Sequence, residues 1–126
     1  MRRQSSLFAA IGVCLFTAGC LSPTETGDQP GTPGLDAYKR NQYAAAMEIF
    51  QAEAQQYPKN PYVEFNIART YAATGHRDDA IRYYRMVRID GQDVDVDSGV
   101  VAEGRKNEDL AEAACDHLIA MGVACN

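Results

Sequence analysis

The chain has 126 residues, of which 46% are hydrophobic and 23% are charged, and its formal net charge is −5. This length allows one domain at most. The negative charge argues against binding to nucleic acid and against charge-driven docking on anionic lipid.

The first twenty residues have the pattern of an export signal. Residues 1–3 include two arginines, residues 7–16 form an apolar run, and Thr17-Ala18-Gly19-Cys20 follows. The run has the length of a signal-peptide core but is shorter than the roughly 20 residues of a membrane-spanning helix. Small residues before a cysteine at this place resemble the cleavage box of bacterial lipoproteins, with Thr17 where leucine is usual.

The lipoprotein resemblance implies that residues 1–19 are a signal peptide and that the thiol of Cys20 is lipidated. More than one acyl chain would then hold the protein stably in the membrane. Leu21, rather than aspartate, favours sorting to the periplasmic face of the outer membrane. Cleavage leaves 12 − 2 = 10 basic and 17 acidic residues, a net charge of −7. The alternative is an ordinary signal peptide that is cut at Ala18-x-Cys20.

A flexible tether is predicted over residues 20–34, which are rich in serine, proline, threonine and glycine and show no apolar periodicity. The folded domain is expected over residues 35–126. Its first helix is short, about Pro33 to Lys39, because proline and glycine surround its start. A full helix from Gln42 to Gln56 follows and ends at Tyr57-Pro58.

The clearest secondary structure is a helical hairpin, Pro61 to Ala73 and Arg77 to Arg88, with a turn at Thr74-Gly75. Gly75 tolerates the positive φ with which helices commonly end. The spacing of apolar residues predicts one buried stripe on each helix: Ile67, Ala68 and Tyr71 on the first, and Ala80, Ile81, Tyr84 and Val87 on the second. A hairpin with one apolar seam needs a neighbour to cover it.

Neighbours of the same pattern appear when the sequence is shifted by 34 residues in either direction. In each copy a small residue is followed four positions later by a large apolar one, and these pairs are predicted to pack between repeats: Ala46 and Phe50, Ala80 and Tyr84, Ala114 and Leu118. The motifs Ile67-Ala68-x-x-Tyr71 and Ala80-x-x-x-Tyr84 resemble those of the tetratricopeptide repeat (TPR) family, although Glu64 stands where the family has a tryptophan. The resemblance implies an all-α fold, a short array of helical hairpins with about two and a half repeats.

In TPR proteins the first helix of each pair lines a groove that holds a partner polypeptide. Carried over to this chain, the partner-binding groove would consist of Tyr62, Phe65, Asn66 and Arg69 from the second copy, and Val100, Glu103 and Lys106 from the third. Aromatic and arginine side chains dominate the binding energy of many interfaces. The alternative for Phe65 is packing against the helix 42–56. So short an array is at the limit of stability, and we therefore also expect a partner subunit or self-association.

An acidic loop follows the hairpin, with alternating carboxylates at Asp93, Asp95 and Asp97. This spacing resembles the start of an EF-hand calcium loop. However, Ser98 stands where the turn glycine belongs, and Gly104 where the bidentate glutamate belongs. A weak calcium site is therefore the most that the loop could offer, and we favour a solvated acidic loop without a metal.

The last helix is predicted from Asn107 to Met121, with Gly122 after it. Cys115 and Cys125 are the thiols that remain once Cys14 is removed with the signal and Cys20 is lipidated. Two cysteines in an exported chain favour a disulfide, which would clamp the tail over the last helix. The alternative is a buried thiol at position 115 and a free one in the tail.

Catalysis finds little support in the sequence. Cys115-Asp116-His117 are consecutive on a helix, so their side chains diverge too far to act as nucleophile and base. No glycine-rich phosphate loop or nucleophile elbow occurs, and we expect neither enzymatic activity nor a cofactor. Two functions remain. One is a lipid-anchored periplasmic adaptor that binds a protein or peptide partner in envelope assembly, such as pilus, secretion, outer-membrane or cell-wall machinery. The other is a calcium- or ligand-responsive module that acts through residues 93–103.

Overall fold

The computed structural model describes residues 32–96 and 108–126. This part of the chain forms five helices: α1 (Thr32–Lys39), α2 (Tyr43–Gln56), α3 (Pro61–Ala73), α4 (Arg77–Asp90) and α5 (Leu110–Ala120). The all-α prediction is confirmed for the described residues, which add an isolated β-bridge between Asp95 and Asp109. None of these five helices is both long and apolar enough to cross a membrane.

The observed helices match the predicted bounds closely at α1, α2 and α3 and differ elsewhere. α1 begins at Thr32, one residue before the predicted start, and the predicted tether, residues 20–34, overlaps this helix by three residues. α4 continues to Asp90, beyond the predicted end, and α5 begins at Leu110 rather than at Asn107. The predicted signal peptide, most of the tether and the first helix of the third copy lie outside the described residues.

Local chemistry sets the ends of α3 and α5. The side chain of Asn60 accepts two backbone N–H bonds from the first turn of α3, at 3.0 and 3.3 Å. Asp109 accepts one from the first turn of α5, at 2.7 Å. Such N-caps satisfy amides that have no partner inside the helix. Gly75 and Gly122 follow the two helix ends with φ of +80° and +73°, values that glycine adopts without steric cost.

The core is built around the small and large residues that the repeat pattern picked out. Ala46, Ala80 and Ala114 are all 0% exposed. Their larger companions are buried as well, in two clusters. Phe50 belongs to the cluster of α1, α2 and α3, whereas Tyr84 and Leu118 share the cluster of α3, α4 and α5.

α5 packs against α4 and runs antiparallel to it. The backbone N–H of Ala111, at the start of α5, donates to the oxygen of Gly91, just after α4 (3.2 Å). At the other end, the guanidinium of Arg77 at the start of α4 donates to the oxygen of Met121 after α5 (2.6 Å). The last helix therefore lies along the whole of α4 and closes this side of the hairpin.

Candidate functional site

Three of the second-copy residues that we assigned to an open groove are buried. Phe65, Asn66 and Arg69 are only 0%, 2% and 4% exposed. The ring of Phe65 lies edge-on to Tyr84 and His117, with centroids 5.7 and 5.5 Å apart. Phe65 is thus a core residue whose ring neighbours come from α4 and α5, rather than part of a groove or of a contact with α2. The expected open groove is not present at these three residues, and α5 contributes to the burial of Phe65 as α1 does to that of Arg69.

Arg69 is held by the short helix α1. Its guanidinium carbon lies 4.6 Å from the centroid of the Tyr38 ring, and Nη2 donates a hydrogen bond to the Tyr38 hydroxyl at 3.3 Å. Stacking on an aromatic face and a directed hydrogen bond are both typical of arginine. The residue therefore joins α1 to α3 instead of facing a partner.

Tyr62 is the one groove candidate of the second copy that is partly exposed. Its hydroxyl donates a 2.7 Å hydrogen bond to the backbone oxygen of Asp95, which ties the segment after α4 to α3. The other three candidates, Val100, Glu103 and Lys106, lie outside the described residues.

The acidic segment pairs with the chain that leads into α5. The N–H of Val96 donates to the oxygen of Glu108 (3.0 Å), and the N–H of Leu110 donates to the oxygen of Val94 (2.8 Å). These bonds pair residues 94–96 with residues 108–110, whereas Asp93 lies in the turn before them with a φ of +58°. Asp93 and Asp95 belong to no metal-binding group of three or more side chains within the described residues, and Asp97 lies outside them.

An apolar pocket opens between α2 and α3, where our sequence analysis predicted no site. Its volume is about 260 Å³. Both helices and the turn after α3 contribute to the wall, which consists of Tyr43, Ala44, Met47, Thr70, Tyr71, Thr74 and His76. The pocket lies on the outside of the cluster that contains Phe50, and Met47 and Tyr71 pack against that cluster.

Three of the four hydroxyl groups on the residues that line this pocket are already hydrogen-bonded within the protein. The Thr70 hydroxyl donates to the oxygen of Asn66 at 2.7 Å, and the Thr74 hydroxyl donates to the oxygen of Thr70 at 2.9 Å. The Thr74 hydroxyl also lies 2.9 Å from Nδ1 of His76, and the Tyr43 hydroxyl donates to Asn41 at 2.8 Å. The surface that remains for a ligand consists mainly of rings, methyl groups and a thioether.

Aromatic rings pack around Tyr71, one of the side chains that line the pocket. The ring centroid of Tyr71 lies 5.8 Å from that of His76 and 5.7 Å from that of Tyr83. We predicted Tyr71 as part of the buried stripe, and the structure leaves it only partly buried. The sequence does contain a signal that could have indicated this pocket. Tyr43 and Met47 are four residues apart and are therefore neighbours on one face of α2.

Glu64, at the position of the family's tryptophan, is a buried carboxyl group. It is 5% exposed, and its Oε2 atom has no hydrogen-bond partner. Burial, together with the negative charge of Asp90, raises the pKa of Glu64 from 4.5 to about 7, although Lys59 opposes the shift. Glu64 and Asp90 belong to α3 and to the end of α4, respectively.

The predicted disulfide between Cys115 and Cys125 is present in the structure. The two Cα atoms are 5.2 Å apart. Nη1 of Arg88 donates to the sulfur of Cys125 at 3.0 Å, so the tail is attached to α4 as well as to α5. The tail also places Val123 against the cluster of α3, α4 and α5.

A second pocket, of about 530 Å³, lies beside this disulfide and is polar. Its wall is dominated by carboxylates and consists of Arg88, Gln92, Glu108, Asp109, Ala111, Glu112, Cys115 and Asp116. Acidic side chains alone do not define a ligand, so the apolar pocket is the stronger candidate for a binding site.

Comparison with known proteins agrees with the helical hairpins described above. A family model of the tetratricopeptide repeat matches residues 37–102, which is more than half of the 126-residue chain. No curated protein and no solved structure matches the chain significantly. The match begins in the last residues of α1, spans α2 to α4 and ends before α5. The chain belongs to the tetratricopeptide repeat family.

Proposed function

We propose that this TPR protein is a lipid-anchored adaptor at the periplasmic face of the outer membrane, where it binds a partner protein of envelope assembly through the apolar pocket between α2 and α3. TPR domains are protein-interaction modules, and we propose no catalytic role. The observation that carries the proposal is the chemistry of the pocket, whose lining is largely apolar and whose Tyr43, Thr70 and Thr74 hydroxyl groups bond within the protein. An occupant gains most there by burying apolar surface.

The size of the pocket favours a side chain over a cofactor. Pockets for small molecules usually measure about 300–1,000 Å³, and this one measures about 260 Å³. A large aliphatic or aromatic side chain fits such a volume. Burying one side chain of this kind stabilises a complex by roughly 1.5–3 kcal/mol, which is the energy of a typical interface hot spot.

The pocket is also preformed on regular structure. Ala44 and Met47 belong to α2, and Thr70 and Tyr71 belong to α3. Side chains on packed helices lose little conformational freedom when a partner binds, and this lowers the cost of association.

The membrane anchor is proposed from the sequence of the N-terminal region. Cys20 would carry the acyl chains, and the polar residues between it and α1 would act as the tether. A flexible chain of this length spans on the order of 20 Å. The folded domain would thus remain close to the membrane while the pocket stays accessible.

Filling the pocket tests the proposal. Ala44 and Ala45 are adjacent and exposed on α2, but only Ala44 lines the pocket. We expect Ala44→Leu to reduce partner binding by about tenfold or more, since it occupies the space of the partner's side chain. Ala45→Leu is the matched control and should bind as the unsubstituted protein does.

The measurement is affinity capture from solubilised envelope, followed by quantitative mass spectrometry of the captured proteins. Support for the proposal is an envelope protein that is recovered with the unsubstituted and Ala45→Leu chains and lost with Ala44→Leu. Equal recovery of every captured protein with all three chains would refute binding through this pocket. Melting temperatures of the three chains show whether any loss reflects unfolding instead.

A further inference from the structure

Two outward helix faces near the C-terminus expose large apolar side chains. On α4, Ile89 is 73% exposed and Met86 is 38% exposed, and on α5, Ile119 is 60% exposed. The remaining large exposed apolar residue among those described is Tyr57, after α2. Exposed apolar side chains on regular helix faces often mark interaction surfaces.

The charges on these two faces are opposite and follow the same order. On α4, the exposed side chains of Arg82 and Arg85 precede Ile89 on one face. On α5, Glu112 and Asp116 precede Ile119 on one face in the same way. The first charge lies seven residues before the isoleucine on both helices, a rise of about 10 Å. α4 thus presents a basic-basic-apolar face, and α5 an acidic-acidic-apolar face.

Within one molecule these two faces do not match in register. α4 and α5 are antiparallel, as the Ala111–Gly91 and Arg77–Met121 hydrogen bonds show. Ile89 therefore lies towards the start of α5, and Ile119 towards the start of α4. Matching the two faces in register requires parallel helices.

We propose that the outward face of α4 docks on the outward face of α5 from a second copy of this chain, with the two helices parallel. In this register Arg82 faces Glu112, Arg85 faces Asp116, and Ile89 packs on Ile119. The ion pair between Arg82 and Asp79 (2.9 Å) is exposed on both sides. Such pairs contribute little, so Arg82 can exchange partners at small cost.

A second copy is the occupant because the chain itself carries the complementary face. Residues 108–126 contain four acidic residues and no lysine or arginine, which matches the exposed arginines of α4. Each copy presents both faces, so the contact is head-to-tail and can continue from copy to copy. One helix pair buries less than the roughly 800 Å² per partner of a standard interface, and association should therefore rise with local concentration.

Photo-cross-linking of the full chain in cells tests this contact. A benzophenone amino acid at Ile89 should give an adduct of twice the chain mass, joined to a peptide from α5 of the second copy. The same probe at Ile119 should join to a peptide from α4. Gln51, exposed on α2, is the matched control position and should give no such adduct. Adducts to other proteins alone, or none from either isoleucine, would overturn the proposal.

Charge reversal tests the register. Arg85→Glu and Asp116→Arg should each reduce the dimer adduct by about fivefold or more, because each places like charges opposite one another. The double variant restores opposite charges and should recover the adduct. If the double variant has an unchanged melting temperature but still gives a reduced yield of dimer adduct, the proposed register is wrong. Whether α4 and α5 of two copies touch at all is tested by the Ile89 and Ile119 probes in the otherwise unsubstituted chain. That test does not depend on the stability of the charge variants.

Discussion

Glu64 of α3 lies within the electrostatic reach of Asp90 at the end of α4, so that two carboxyl groups come together in the seam of the central hairpin. Glu64 is the buried member, and its pKa is raised to about 7. The hairpin therefore contains a group that titrates near neutral pH.

The first prediction concerns the pH dependence of stability. Between pH 4.5 and about 7, folded Glu64 keeps a proton that the unfolded chain has released. Its contribution to stability is therefore complete below pH 4.5 and is lost as the pH rises through 7. Glu64→Gln imitates the protonated form and should be more stable than the unsubstituted protein at pH 8, by on the order of 3 kcal/mol.

Urea unfolding at pH 4 and at pH 8 checks this prediction. The advantage of Glu64→Gln should be present at pH 8 and small at pH 4. Glu48→Gln, at an exposed position on α2, is the control and should change neither value appreciably. An advantage of equal size at both pH values would show that titration of Glu64 is not the cause.

The second prediction concerns the contact between α1 and α2. A Cβ atom on Gly34 would overlap the ring of Phe50. We expect Gly34→Ala to destabilise the protein by roughly 1–3 kcal/mol, because overpacking outweighs the better helix propensity of alanine. In a double-mutant cycle, Phe50→Leu should relieve part of the cost. Strictly additive unfolding energies would contradict the proposed overlap.

The third prediction concerns the C-terminal clamp. The disulfide joins residues that are 10 apart in sequence, and closing a loop of this size contributes roughly 2–3 kcal/mol. Cys125→Ser should lower the melting temperature accordingly. A reductant should lower the melting temperature of the unsubstituted protein and leave that of Cys125→Ser unchanged. If the reductant lowers the melting temperatures of both proteins equally, its effect does not come from the Cys115–Cys125 disulfide.

The fourth prediction concerns the membrane anchor. Cys20→Ser should move the protein from the membrane fraction to the soluble periplasmic fraction and abolish the acyl mass on its N-terminal peptide. Cys14→Ser is the matched control, since Cys14 would be removed with the signal peptide, and this variant should remain acylated. A Cys20→Ser protein that stays acylated would refute lipidation at this residue.

Local sequence patterns predicted the five helices and the small residues that are buried between them. Helix periodicity and the 34-residue repeat depend on local spacing, which can be read without knowing the rest of the fold. Ala46, Ala80 and Ala114 were found in this way, and the structure buries all three completely.

Which helix faces stay open could not be predicted from these local patterns and follows from how the helices pack. Phe65 and Arg69 have the spacing of a groove, yet α5 and α1 cover them. α5 also approaches the end of α4 closely at Gly91, where a Cβ atom would lie 3.0 Å from Cβ of Leu110. Spacing along a helix determines the side on which a residue lies. What covers that side depends on contacts between segments far apart in sequence, and no local pattern contains them.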